Sequence, residues 1–179
     1  MRRRIAAAAV IAVGLILGST GCTFLAPTAT AIKYDPSDGV SLNLGSLQVR
    51  NAFAISPKGT DANLVGVFLN SGSNPIDVEL QYTAHVKGEA EVLTTHFEVD
   101  PGKPVSYGTP GVKQVVFRNA NVPAGALLKI FIQYGTTQGR NLRIPVLDGS
   151  QAAYQHLKPS PLPKPKPTAT ITPTPTPTN

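Results

Sequence analysis

From Ile76 to Lys87 the sequence alternates without a break. Ile76, Val78, Leu80, Tyr82, Ala84 and Val86 fall on one face, and Asp77, Glu79, Gln81, Thr83, His85 and Lys87 on the other. Successive side chains of a strand point to opposite faces, so this pattern specifies a strand with one face in a core and one in water. A chain built round such a strand needs further strands to complete a sheet and a second layer to cover its apolar face.

The neighbouring segments supply both. Leu42 and Leu44, then Leu47, Val49, Asn51, Phe53 and Ile55, recur at period two, and Ser56–Asp61 interrupts them as a loop. Leu64–Leu69 is apolar on both faces, the mark of a central strand. Asn70–Pro75 is turn chemistry. Val92–Val99, Val105–Tyr107, Val112–Phe117, Leu128–Tyr134 and Leu142–Val146 follow as strands, with Pro145 placing the last at an edge. No stretch between Asp38 and Asp148 carries a sustained helical stripe. Many short strands with turns between them predict an all-β chain folded as an antiparallel β-sandwich, since the connections are too short for crossover helices.

The ends of the chain are different. Three arginines at positions 2–4 precede an apolar run, Ile5–Leu17, and then Gly18-Ser19-Thr20-Gly21-Cys22. A basic start, a short apolar core and small residues form an export leader. Cys22 is the only cysteine and has no internal disulfide partner. It reads as the acylated cysteine of a bacterial lipoprotein, although Ser19 stands where the lipobox prefers Leu. The alternative is a released protein cut after Ala29-Thr30-Ala31. Two or more acyl chains of the palmitate class on one cysteine hold firmly where one does not. The expected organisation is a lipoprotein signal peptide over 1–21, a flexible spacer over 22–37 and a β-sandwich over 38–154. Residues 155–179 form a Pro/Thr-rich disordered tail, glycosylated, wall-threading or bare. The expected location is the outer face of the cell membrane.

The net charge of +6 points to a polyanion only until its placement is considered. Arg2, Arg3 and Arg4 belong to the leader and Lys158, Lys164 and Lys166 to the tail, leaving ten basic against ten acidic residues between Lys33 and Tyr154. A nucleic-acid partner is not expected, because its binder gathers positive charge on the folded surface. No Gly-x-Ser-x-Gly, phosphate loop, Gly-x-Gly-x-x-Gly or His-Glu-x-x-His motif occurs, so neither an enzyme nor a cofactor is expected.

Several short motifs occur in a telling order: Leu47-Gln48-Val49-Arg50-Asn51-Ala52, Val67-Phe68-Leu69-Asn70-Ser71-Gly72, Val99-Asp100-Pro101-Gly102, Pro110-Gly111-Val112, Ala124-Gly125 and Arg143-Ile144-Pro145-Val146. In these the chain resembles the copper chaperones of the PCuAC type and the LpqE-like lipoproteins of high-GC Gram-positive bacteria. The resemblance implies an immunoglobulin-like or cupredoxin-like sandwich. It also implies a place for the family's His-x-Met copper ligands, where this chain has Gln114 and Val116. Soft sulfur ligands select Cu(I), and Met1 is the only methionine. The copper function is therefore not carried over and no metal site is assigned. The alternative is a harder Cu(II) or Zn(II) site at His85 and His96, if the strand register brings them together. The resulting expectation is a membrane-anchored, non-catalytic binding or accessory module of the cell envelope. Its partners would be the membrane, through the anchor, and an envelope protein or cell-wall component. The alternative is a carrier of a small ligand or metal.

Overall fold

The computed structural model describes residues 2–19, 35 and 37–161. Cys22, nearly all of the expected spacer and the tail beyond Pro161 lie outside the described residues. The chain divides into two units, Met1–Pro36 and Ser37–Asn179. In the first, an alanine- and leucine-containing run of good helix formers makes one helix, α1 (Arg2–Ser19). Among the described residues no helix is long and apolar enough to cross a membrane.

The described residues of the second unit form nine strands: β1 (Val40–Leu44), β2 (Leu47–Ile55), β3 (Ala62–Asn70), β4 (Ile76–Val86), β5 (Glu89–Val99), β6 (Val105–Tyr107), β7 (Val116–Phe117), β8 (Leu127–Tyr134) and β9 (Arg140–Leu147). They follow the order β5-β4-β8-β9-β2-β3-β6, with β1 on β2 and β7 on β3. One cluster of buried side chains draws on both halves of this path, with Leu47, Leu64 and Phe68 packed with Leu80, Ile132 and Ile144. The sheet therefore curls over a common core, which is the all-β sandwich expected from the sequence. In β4, Val78, Leu80, Tyr82 and Ala84 are buried while Asp77, Thr83 and His85 are exposed, as the alternation requires.

Three local expectations give way. Pairing is antiparallel except between β2 and β9, which run parallel at Ala54↔Val146 and Ile55↔Leu147. The short-loop argument applies to strands adjacent in sequence, and these two are not. Pro145 is not at an edge, because β9 lies between β8 and β2. Up to Pro145 the strand pairs with β8, and from Val146 it pairs with β2. Proline, with no N–H to offer, marks the point where the strand changes neighbours. In Val112–Phe117 only Val116–Phe117 is a strand.

The fourth difference matters most for the site. Leu47, Val49, Phe53 and Ile55 do not share a face. At Asn51 the β2 backbone turns left-handed, φ 50°, and its register with β3 slips between Arg50 and Phe53. Asparagine tolerates this conformation better than most residues, and its Oδ1 accepts the Gly39 N–H at 2.8 Å. Such a bulge exchanges the two faces of the strand beyond it. Ala52 and Ala54 then enter the main core, and Phe53 and Ile55 form a second cluster with Val65 and Leu157. That cluster is capped by a 3-10 helix, Ala152–Leu157, whose Tyr154 ring packs against Phe53 at 5.5 Å. Leu157 is buried, so the folded unit continues past the expected boundary at 154.

Candidate binding groove

Where the chain leaves Leu157, polar side chains converge at one end of the sandwich. Asn63, in the doubly covered part of β3, is fully buried. Its amide donates to the Leu157 carbonyl at 2.8 Å and to the Gly108 carbonyl at 3.4 Å. Gly108 has φ +83°, and a Cβ there would run into the Leu64 carbonyl, so glycine is required at this approach. Asn63 Oδ1 is buried and has no hydrogen-bond partner among the described residues. One amide thus fixes both the end of the 3-10 helix and the start of the loop after β6.

Asp61 and Arg118 form the next layer. Arg118 Nη1 donates to Asp61 Oδ2 at 2.7 Å, and Asp61 Oδ1 accepts the Asn119 N–H at 2.9 Å. The pair is partly shielded, with side chains 24% and 29% exposed, so screening is weaker than for a surface ion pair. The backbone beside it is held as firmly. Asn119 and Asn121 are left-handed, at φ 52° and 49°. The His85 N–H donates to the Asn119 carbonyl at 2.7 Å, and the Asn121 N–H to the Thr60 carbonyl at 3.0 Å. From the core, Tyr82 Oη accepts the Arg118 N–H at 2.9 Å and donates to the Arg118 carbonyl at 3.2 Å. Burial pushes the Tyr82 hydroxyl pKa up, the Arg118 hydrogen bond opposing it and the Asp61 charge adding to it.

Across this frame lies Lys158–Pro161. Gln114 Nε2 donates to the Lys158 carbonyl at 3.1 Å, and its Oε1 accepts the Ser160 N–H at 2.8 Å. Arg118 Nη2 donates to the Ser160 carbonyl at 2.8 Å. A cleft of about 580 Å³ opens on one side, lined by Pro57, Lys58 and Thr60, and another of about 560 Å³ on the other, lined by Pro110, Val112 and Lys113. Ser160 and Pro161 border both. Gln114 is thus engaged with main chain. Val116 lies in β7, paired at Asn63 on β3.

The two histidines named from the sequence lie far apart. His96 is opposite Glu79 and His85 opposite Ala90, so six ladder steps of roughly 3.3 Å separate them. His96 Nδ1 is 3.1 Å from Asp77 Oδ2, and both side chains are more than half exposed. Glu79 accepts from Gln81 at 2.6 Å and from Gln133 at 3.0 Å. The Gln133 and Gln81 hydrogen bonds hold its carboxyl pKa below the usual range, with the His96 charge a smaller contribution. A cleft of about 320 Å³ is bordered by Asp77, Glu79, His96 and Gln133. Among the described residues, no three His, Cys, Asp or Glu side chains are grouped to hold a metal ion. Cys22 lies outside the described residues.

The sequence did not single out Asp61, Arg118 or Gln114 as partners, since they come from separate connecting segments with no shared spacing. Leu157 had a faint signal: Tyr154 and Leu157 stand three apart, and a 3-10 turn places such residues on one side.

No protein-family model matches the sequence, and no curated protein matches it significantly. Among solved structures the chain is similar to PCuAC domains, the family its turn and core motifs resemble. The apo PCuAC domain of PmoF2 has a TM-score of 0.45 and 15% identity, over 63% of this chain and 98% of that one. The apo PCuAC domain from PmoF1 gives 0.44 and 14%, over 60% and 98%. The copper-bound PCuAC domain from PmoF2 gives 0.44 and 17%, over 60% and 97%.

Proposed function

We propose that this chain is an exported, non-catalytic binding domain of the cell envelope, held at the outer face of the membrane by acyl chains on Cys22. The observation that supports binding is the groove between Asp61, Gln114 and Arg118, where polar side chains are aimed at main chain and flanked by open clefts. Its arginine is hydrogen-bonded to carboxylate and carbonyl, and its amide to two backbone groups, an arrangement suited to holding a segment in place. Membrane-bound protein should partition into detergent and carry an acyl mass increment, and Cys22→Ala should abolish both. A membrane fraction starting at Ile32 would show instead that the site after Ala31 is cleaved. Cross-linking the anchored protein in intact envelopes identifies the occupant.

A second reading, a carrier of a small ligand or metal ion, has its own observation. His96, Asp77 and Glu79 border one cleft. One of the solved domains similar to this chain is copper-bound; here imidazole and carboxylate donors would favour Cu(II) or Zn(II). Titration of the full chain with Zn(II) should then give weak binding that His96→Ala removes and His85→Ala leaves intact, given their separation along β4 and β5. Binding insensitive to His96→Ala would rule this site out.

A further inference from the structure

We infer that the groove between residues 57–61 and 109–118 is a recognition site for an alternating-proline segment, which this chain fills with its own Lys158-Pro159-Ser160-Pro161. The Gln114 amide meets the carbonyl of Lys158 and the N–H of Ser160, two residues on, spanning the intervening proline. In Pro159–Pro161 the only N–H belongs to Ser160, because proline has none. Gln114 takes that donor and Arg118 takes the Ser160 carbonyl. An ordinary segment would bring further N–H groups needing partners, whereas an x-Pro-x-Pro segment brings none.

The conformation agrees with this. Lys158 has φ −61° and ψ 147°, close to polyproline II. A segment pre-set in that form loses little entropy on docking. The two clefts beside the segment leave room for side chains, so main chain and proline spacing select the ligand more than any one side chain does. The sequence repeats the pattern at once, as Leu162-Pro163-Lys164-Pro165-Lys166-Pro167. A shift of two residues presents the same donors and acceptors to Gln114 and Arg118. The groove is therefore built to exchange one register, or one proline-rich strand, for another. This deepens the binding reading above, on which it rests for the step from an occupied groove to a ligand in trans.

The Ser160 amide is the reporter. In the full chain its hydrogen exchange should be slowed by about tenfold or more relative to a free peptide, as for a hydrogen-bonded surface amide. Gln114→Ala should return Ser160 to the free rate while the Leu64 amide, bonded to Val115, stays protected and reports an intact fold. Gln114→Glu, which keeps the acceptor for Ser160 but loses the donor to Lys158, should fall between. Excess synthetic peptide with the sequence of residues 158–167 should displace the resident segment and free Ser160. The same peptide with alanine for every proline should not. A wild-type Ser160 that exchanges at the free rate, a proline peptide without effect, or equal displacement by the alanine peptide would each overturn the inference. Capture of an envelope partner and acylation of Cys22 are measured separately, so failure here is distinguishable from failure of the anchored-binding reading.

Discussion

Tyr82 joins the core to the groove with a single oxygen, accepting from the Arg118 N–H and donating to the Arg118 carbonyl. Tyr82→Phe keeps the ring against Phe117, 4.9 Å away, but leaves both backbone groups of Arg118 without that partner. The loss should be about 1–3 kcal/mol of unfolding free energy, read by denaturant titration. It should also change with pH. The hydroxyl pKa is raised by burial, so its stabilising contribution is full below the unfolded tyrosine value near 10 and is lost as pH rises through the folded value. Wild-type stability should therefore decline above about pH 10, and less steeply in Tyr82→Phe. Some decline should persist, because the Tyr107 pKa is raised by burial and the Tyr154 pKa by its hydrogen bond to Asp38. Tyr82 was legible as a core residue from its place in the alternation. Its role toward Arg118 was not, because hydrogen bonds between distant segments leave no trace in local periodicity.

At the scale of elements, β4 shows how far periodicity reaches. Leu80 is fully buried in the main core while Gln81, its neighbour, faces outward and donates to Glu79. Leu80→Asp should cost more than about 4 kcal/mol, because it places an unpaired carboxylate in an apolar core. Gln81→Asp should change stability by less than about 1 kcal/mol. Thermal melts of the two variants test the assignment of faces, and equal effects would contradict the register. Strand β2 marks the limit of the same logic. Its apolar residues look like one continuous face, yet the left-handed Asn51 turns Phe53 and Ile55 outward. A bulge adds a residue without altering composition, so alternation read along the chain cannot locate it. The consequence reaches the C-terminus. The outward apolar patch needs a cover, and it comes from Tyr154, the last residue of the expected sandwich, and Leu157, in the stretch assigned to the tail.

For the whole molecule, the question is what ligands the chain can supply, wherever its fold places them. The turn and core motifs of the sequence resemble those of PCuAC-type copper chaperones, so Cu(I) is the sharpest test. Cu(I) selects thioether and thiolate donors. This sequence holds one methionine, Met1, and one cysteine, Cys22. Gln114 offers an amide already hydrogen-bonded to Lys158 and Ser160, and the valine side chain at 116 offers no donor atom. Protein carrying Cys22→Ser and lacking the residues before it should therefore retain no Cu(I) against a competing chelator of moderate strength. The Zn(II) or Cu(II) binding open to His96 should weaken as pH falls, since metal and proton compete for the same nitrogen. The two measurements separate the possibilities by chemistry. Tight stoichiometric Cu(I) would demand sulfur donors that this variant does not contain and would refute the binding-domain reading. Weak, acid-sensitive Zn(II) binding lost in His96→Ala would favour the carrier reading. If neither ion is held, binding is left to the groove, where the donors and acceptors are already arranged for main chain.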